Sequence, residues 1–287
     1  MIKIFLGIMI PFIGTILGSS MVFIMKNKIN EKAGVLYMTK IDATTIIHQH
    51  NAKEFITDYW TKRAPKFKEL RHEELRSEKM KQWQEEICRH LPTQKPLKIL
   101  DIGCGAGFFS ILLAEKGHEV TGIDLTESMV QEAILLAKEE QSPARFFVMD
   151  AESLAFPDET FDIVVSRNVT WNLPHPEQAY AEWLRVLKRD GLLLNYDAEY
   201  GKYHHEDYEK EAVYAHKDVT KELVEQCHRI YHMLDISAYD RPRWDIEILL
   251  KLGARSCTAD TTVGLRLYSK KDKFYAPAPF FGVFAKK

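Results

Sequence analysis

A chain of 287 residues with a 46% hydrophobic fraction is long enough to bury one sizeable core, with room for appendages. Its 39 Lys and Arg against 41 Asp and Glu give a formal net charge of −2, which disfavours a nucleic-acid substrate. The four cysteines (Cys88, Cys104, Cys227 and Cys257) are scattered without a C-x-x-C pair, which argues against zinc ribbons and dithiol redox pairs and fits reduced thiols.

From Ile4 to Met25 no residue is charged, a run long enough for the ~20 residues of a membrane-spanning helix. Lys3 precedes it and Lys26, Lys28 and Lys32 follow, so the lysine excess puts the rest of the chain on the cytoplasmic side. Gly18-Ser19-Ser20 imitates a signal-peptide cleavage site, but the length of the run favours an uncleaved anchor. The stretch Phe5-Leu6-Gly7-Ile8-Met9-Ile10-Pro11-Phe12-Ile13-Gly14-Thr15-Ile16-Leu17-Gly18 resembles the first span of ZIP-type metal transporters. No further span of such a transporter follows, so transport by this chain is excluded. The segment reads as an ordinary anchor, as a fusion, or as a misassigned start, with Met38 the original one. Residues 1–37 are therefore set apart as a membrane-anchor-like segment and linker.

Residues 26–52 are polar and mixed, and read as a juxtamembrane linker. Between Glu54 and Leu91 apolar residues such as Trp60, Phe67, Leu70, Leu75 and Trp83 recur at helical spacing, which predicts two helices within an N-terminal section, 38–97. Strands are then predicted near Lys98–Gly103, Glu119–Asp124, Ala144–Asp150, Phe161–Arg167 and Gly191–Asp197. They alternate with helices near Phe108–Lys116, Ser128–Glu140 and Pro176–Leu187. Apolar runs such as Ile163-Val164-Val165 and Leu192-Leu193-Leu194 suit parallel strands buried on both faces. An aromatic, polar insertion covers about 198–243. Beyond it come a helix, Trp244–Leu252, capped by Gly253, and two last strands, Thr258–Val263 and Phe280–Ala285.

The most informative run is Ile99-Leu100-Asp101-Ile102-Gly103-Cys104-Gly105-Ala106-Gly107-Phe108-Phe109, a buried strand that breaks into a glycine turn and then a helix. Val120-Thr121-Gly122-Ile123-Asp124 follows one unit later and ends in an acid suited to ribose hydroxyls. The G-x-G-x-G spacing differs from the dinucleotide G-x-G-x-x-G, and Asp101 before the turn would repel a pyrophosphate. An acid there suits a cation, such as an amino-acid ammonium beside a sulfonium.

These residues resemble the first motif of class I S-adenosylmethionine-dependent methyltransferases with a type 11-like domain. Phe147-Val148-Met149-Asp150-Ala151-Glu152, Phe161-Asp162-Ile163-Val164-Val165-Ser166-Arg167-Asn168 and Leu187-Lys188-Arg189-Asp190-Gly191-Leu192-Leu193-Leu194 resemble later motifs in the family's order. The resemblance implies an α/β, Rossmann-like doubly wound seven-stranded sheet with a terminal antiparallel pair over 98–287, behind the N-terminal hydrophobic helix. It implies S-adenosylmethionine as cofactor, held by Asp101, Gly103, Gly105, Gly107, Asp124, Met129, Asp150, Ala151 and Asn168. From the capping helices, Arg63 is expected to meet a carboxylate and Tyr59 or Trp60 to face the sulfonium.

Methyl transfer is an in-line displacement in which positioning supplies much of the rate. Asn168, Arg167 and Trp171 at the end of the fourth strand, and Asp197 at the end of the fifth, are expected to serve the acceptor. Arg167 would bind an acidic group, Asn168 would orient, Trp171 would form a wall, and Asp197, beside Tyr196 at the mouth, would act as a base or cation partner. No metal is expected: His48 and His50 fall in the linker, and His228 and His232, one helical turn apart beside Cys227, lack a third ligand. His204 and His205 lie in the insertion. The expected partner is a small-molecule acceptor for N-, O- or C-methylation, a quinone precursor among the options if the anchor is real. Rival readings are a nicotinamide-dependent oxidoreductase and a non-catalytic, membrane-tethered S-adenosylmethionine-binding protein.

Overall fold

The computed structural model describes residues 43–94, 96–202, 219–275 and 277–287. The chain divides into a first unit, Met1–Asn51, and a second, Ala52–Lys287. The proposed anchor at residues 4–25, the transporter-like stretch within it, and His204 and His205 all lie outside the described residues. Among the described residues no helix is long and apolar enough to cross a membrane.

Two helices precede the sheet, α1 (Ala43–Leu75) and α2 (Glu78–Cys88). The helix begins at Ala43, eleven residues ahead of the predicted start at Glu54 and inside the predicted linker. No glycine or proline interrupts Ala43 to Ala64, so the polar stretch there continues the helix. Ser77 then caps α2 by accepting from the Lys79 amide at 3.2 Å.

The strands are β1 (Lys98–Ile102), β2 (Glu119–Asp124), β3 (Arg145–Val148), β4 (Phe161–Arg167), β5 (Leu187–Ala198), β6 (Ser256–Asp260) and β7 (Phe280–Lys286). They form one seven-stranded sheet in the order β3-β2-β1-β4-β5-β7-β6. The first five are parallel, and β7 runs antiparallel between β5 and β6. This is the doubly wound sheet with a terminal antiparallel pair that the sequence predicts. The sixth strand ends earlier than expected, because the Asp260 carboxylate accepts from the Thr262 amide and hydroxyl at 2.8 and 2.6 Å and turns the chain. Val263 thus opens a short helix, α8 (Val263–Leu267).

Helices α3 (Phe108–Glu115), α4 (Glu127–Glu139), α5 (Pro176–Val186), α6 (Lys221–Met233) and α7 (Arg243–Lys251) are the remaining α-helices among the described residues. Strand alternation sorts the core onto two faces. Ile99, Ile163 and Val165 pack with α2, α3 and α4, whereas Leu100, Ile102 and Val164 pack with α5 and α7. A third cluster, including Ile56, Tyr59, Trp171, Ile230 and Leu234, gathers α1 and α6 over the carboxyl ends of the strands.

A buried polar network anchors β5 beneath that cluster. Arg241 donates to Asp197 at 2.8 Å and to Asp245 at 2.7 Å. Tyr180 donates to Asp245 and accepts from the Asn195 amide at 2.8 Å. Burial pushes the Asp197 carboxyl up, while Arg241 holds against that shift. Removing one partner of such a network leaves uncompensated buried charge. Arg241→Met is therefore expected to cost about 3–5 kcal/mol in urea unfolding, read as a lower midpoint at unchanged m-value.

Candidate active site

The carboxyl ends of β1, β2, β3 and β4 open into a cavity of about 240 Å³. That is several times the ~30 Å³ share of one water, so it suits a ligand rather than a structural solvent molecule. A doubly wound sheet places its ligand crevice at this edge, where β1 and β4 diverge to opposite sides.

The glycine turn forms the floor. Gly103 has φ +62° and Gly105 φ +52°, conformations that strain any residue with a Cβ. A Cβ at Gly103 would overlap the Val169 side chain, and one at Gly105 would come within 2.9 Å of Phe67 from α1. The missing side chains thus let Val169 and Phe67 pack directly against the turn, and both glycines line the cavity. Gly107, expected to bind cofactor, is not part of the wall. It starts α3 at φ +86° and abuts Phe146.

Three acids stand at successive strand ends on this rim. Asp101 accepts from the Ser110 hydroxyl at 2.6 Å, which has room because Gly122 on the neighbouring strand lacks a side chain. Asp124 accepts from the amides of Gly105 at 3.0 Å and Thr126 at 2.8 Å, so it fixes the turn that it flanks. Burial pushes its carboxyl up against those hydrogen bonds. Asp150 accepts from Lys53 of α1 at 2.6 Å and from the Glu152 amide at 2.9 Å. Lys53 also pairs with Glu152 at 2.5 Å. Burial pulls the Lys53 ammonium down, but its two carboxylate partners outweigh that and hold it above its ordinary value. Met129 and Ala151 line the same end.

Helix α1 supplies the opposite wall. Lys53, Ile56, Trp60, Arg63, Phe67 and Arg71 fall three or four residues apart and all face the cavity, joined by Tyr59. Rings from elsewhere continue this wall: Trp171 meets Tyr200 at 5.3 Å, Tyr231 at 5.1 Å and Trp60 at 6.5 Å between centroids. Val224, Cys227, His228 and Tyr231 present one face of α6 to the cavity. His232 is not in its wall.

Of the residues expected to serve the acceptor, Asn168 and Trp171 line the cavity. Asn168 has φ +59°, which asparagine tolerates. Its Oδ1 is buried without a hydrogen-bond partner, a polar atom available to a ligand. Trp171 Nε1 donates to the Asn168 carbonyl at 3.0 Å. Arg167 lines the cavity, but its guanidinium is already engaged by Glu74 at 2.9 and 3.2 Å and lies 4.4 Å over the Trp83 ring. Its expected position at the mouth is corrected for Asp197, which is fully buried and salt-bridged to Arg241. It holds the Trp171 amide at 2.9 Å and does not reach the cavity. Tyr196 likewise points into the core, against Trp83.

Sequence reading missed Lys53, Phe67, Arg71, Glu74, Tyr200 and Tyr268. The spacing of Lys53, Trp60, Arg63, Phe67 and Arg71 on one helix face was a usable signal, obscured because basic residues on helices are ordinarily solvated.

Burial raises the Asp101 carboxyl to about 7, against the pull of Ser110. Because the folded value lies above the unfolded one, this group favours the native state at low pH, and that contribution is lost as pH rises through about 7. A cationic ligand needs the ionised form, so below pH 7 its binding must expel a proton. A cationic probe seated on Asp101, S-adenosylmethionine among them, is expected to bind up to about tenfold more tightly per pH unit between 5.5 and 7, with a plateau above. Asp101→Asn should flatten that slope in calorimetric titrations.

Comparison with known proteins places this geometry. Residues 100–195 match the methyltransferase domain family. The chain is 39% identical over 101 residues to the uncharacterised methyltransferase YcgJ of Bacillus subtilis, covering 35% of this chain and 40% of that protein. It is 39% identical over 97 residues to the 2-methyl-6-phytyl-1,4-hydroquinone methyltransferase of Synechocystis, covering 33% of this chain and 30% of that one. The matches thus span less than half the length of either relative. The fold is shared with a SAM-dependent methyltransferase from Aquifex aeolicus at TM-score 0.50 and 18% identity, over 75% of this chain and 96% of that one. Residues 100–195 are therefore similar to the methyltransferase domain family, and the described chain shares its Rossmann-like fold with the Aquifex structure.

Proposed function

We propose that the protein transfers a methyl group from S-adenosylmethionine to a small-molecule acceptor. The observation that carries this reading is the rim formed by Asp101, Asp124 and Asp150 around a glycine turn that lines the cavity. The donor set fits the group: one acid before the turn for an ammonium, one after the next strand for ribose hydroxyls, and one beside an apolar pocket for adenine. When bound, S-adenosylmethionine supplies a methyl group on a positively charged sulfur.

The chain's own residues supply placement. Asp124 retains lone pairs beyond its two backbone bonds for the ribose. Asp150, Met129 and Ala151 frame the base. Arg63 lines the α1 wall as a candidate partner for a carboxylate, and Tyr59 stands one turn away on the same wall. Asn168 offers its unpartnered Oδ1, and Trp171 a ring face toward the reacting end. Asp197 acts at one remove, by holding the Trp171 amide, and is a positioning residue.

A small acceptor is supported by the aromatic walls from α1 and α6 and by the absence of basic excess in the whole chain. The Synechocystis relative is named for a hydroquinone, and a ring-bearing acceptor suits these walls. Membrane association through residues 4–25, with the catalytic unit on the cytoplasmic side, belongs to the same proposal and rests on sequence alone. Asp101 at the turn speaks against a nicotinamide dinucleotide, whose pyrophosphate it would repel.

Calorimetric titration of the full chain with S-adenosylmethionine and with NADH tests this reading. S-adenosylmethionine is expected to bind and NADH not to. Asp124→Ala should weaken binding by about ten- to a hundredfold, the range for hydrogen bonds to a charged group. Binding of NADH in preference would overturn the assignment.

A further inference from the structure

The floor of the cavity holds more positive charge than the protein offsets. Arg71 from α1 and Arg167 from the end of β4 both pair with Glu74. Among the described residues, Glu74 is the only carboxylate that either guanidinium pairs with. All three groups are buried: Arg71 is 6% exposed, Glu74 0%, and the Arg167 side chain 10%. Two cations on one anion leave one formal positive charge.

The surroundings do not remove it. Phe67 lies 4.8 Å from the Arg71 guanidinium and Trp83 4.4 Å from that of Arg167. Ring faces return only a fraction of the cost of desolvating an ion. The Tyr268 hydroxyl near Arg167 stays neutral, since burial pushes its pKa up and makes it a weaker acid. The next acid along the wall, Asp101, feels the charge of Arg167 but pairs with neither guanidinium; it accepts from Ser110 and is the acid proposed for the ligand's cation. Burial, reinforced by the charge of Arg167, pulls the Arg71 guanidinium down to about 10 against the pull of Glu74, so it is still charged at neutral pH.

A second, independent observation points the same way. The Nε atoms of Arg71 and Arg167 are buried and have no hydrogen-bond partner, and both residues line the cavity. Buried unpaired donors are uncommon in native proteins, and here both belong to side chains whose other atoms line the cavity. A carboxylate fits best, because it meets a guanidinium through charge-assisted bonds.

We infer that Arg71 and Arg167 form an anion subsite that accepts a carboxylate from a bound ligand, with Glu74 holding the two guanidiniums together. The identity of the occupant rests on the methyl-transfer reading. The carboxylate belongs either to the amino-acid end of the cofactor or to a carboxylate-bearing acceptor.

Binding to the full chain and to Arg71→Met separates these. Arg71→Met keeps the stem volume and leaves the Arg167–Glu74 pair intact, and Arg71→Lys keeps the charge without the planar fork. The probes are S-adenosylhomocysteine, 5′-methylthioadenosine, which lacks the amino-acid end, and benzoate. If the cofactor supplies the carboxylate, Arg71→Met weakens S-adenosylhomocysteine about tenfold or more and leaves 5′-methylthioadenosine unchanged. If the acceptor supplies it, both nucleosides bind as to wild type, while benzoate binding to the S-adenosylhomocysteine-loaded protein drops about tenfold or more. In either case Arg71→Lys recovers part of the loss. The inference is overturned if neither S-adenosylhomocysteine nor benzoate responds to Arg71→Met, or if 5′-methylthioadenosine weakens as much as S-adenosylhomocysteine. Should wild type bind neither nucleoside, the methyl-transfer reading fails, and the Arg71 dependence of benzoate binding to the ligand-free protein still decides the subsite.

Discussion

The ion pair between Glu74 on α1 and Arg167 at the end of β4 is the contact on which the site depends. It ties the capping helix to the sheet at the point where the strands diverge, and so makes a cavity out of an open edge. Glu74 is held ionised in spite of its burial, which alone would push it up, because Arg167 and Arg71 flank it. Buried pairs of this kind add little net stability over an apolar equivalent, but they are costly to break by halves. Their value here is placement: the Arg167 guanidinium lies on Trp83 and near Phe108, so the same side chain clamps α2, α3 and α1 around one strand end.

A second clamp acts at Lys53, about six turns nearer the start of the helix. Lys53 reaches Asp150 and Glu152 beyond β3, at the rim proposed for the adenine. Glu152 in turn holds the His175 amide at 2.6 Å and its ring at 2.8 Å, which links the rim to the start of α5. Between the two clamps the α1 face is mainly aromatic and apolar. Charge therefore fixes the helix at Lys53 and at Glu74, and rings fill the span between.

Behind the cavity, the buried network of Arg241, Asp197, Asp245, Tyr180 and Asn195 steadies β5 and the turn that carries Trp171. This explains why an acid at the end of β5 serves the cavity only through a backbone amide. Its carboxylate faces an arginine that the sequence places forty-four residues away. In such a sheet, neighbouring positions at a strand end point to opposite faces, and only one of them reaches the ligand.

Much of this was legible in the linear chain. Apolar runs gave the strands, because parallel strands buried on both faces must be continuously hydrophobic. The glycine turn and the acids Asp101, Asp124 and Asp150 were readable because local backbone conformation and short spacing put them at successive strand ends. The early start of α1 was not, because its first turns lack an apolar stripe. Nor was the division of labour among the charged groups. Arg167 and Asp197 sit at the right strand ends, yet Glu74 and Arg241, from distant elements, decide which way each is spent. The sequence by itself determined the sheet, the turn and the acidic rim, whose causes are local. Tertiary structure alone decided which charges are neutralised and which still face the cavity, because buried electrostatics depend on partners brought together only by folding.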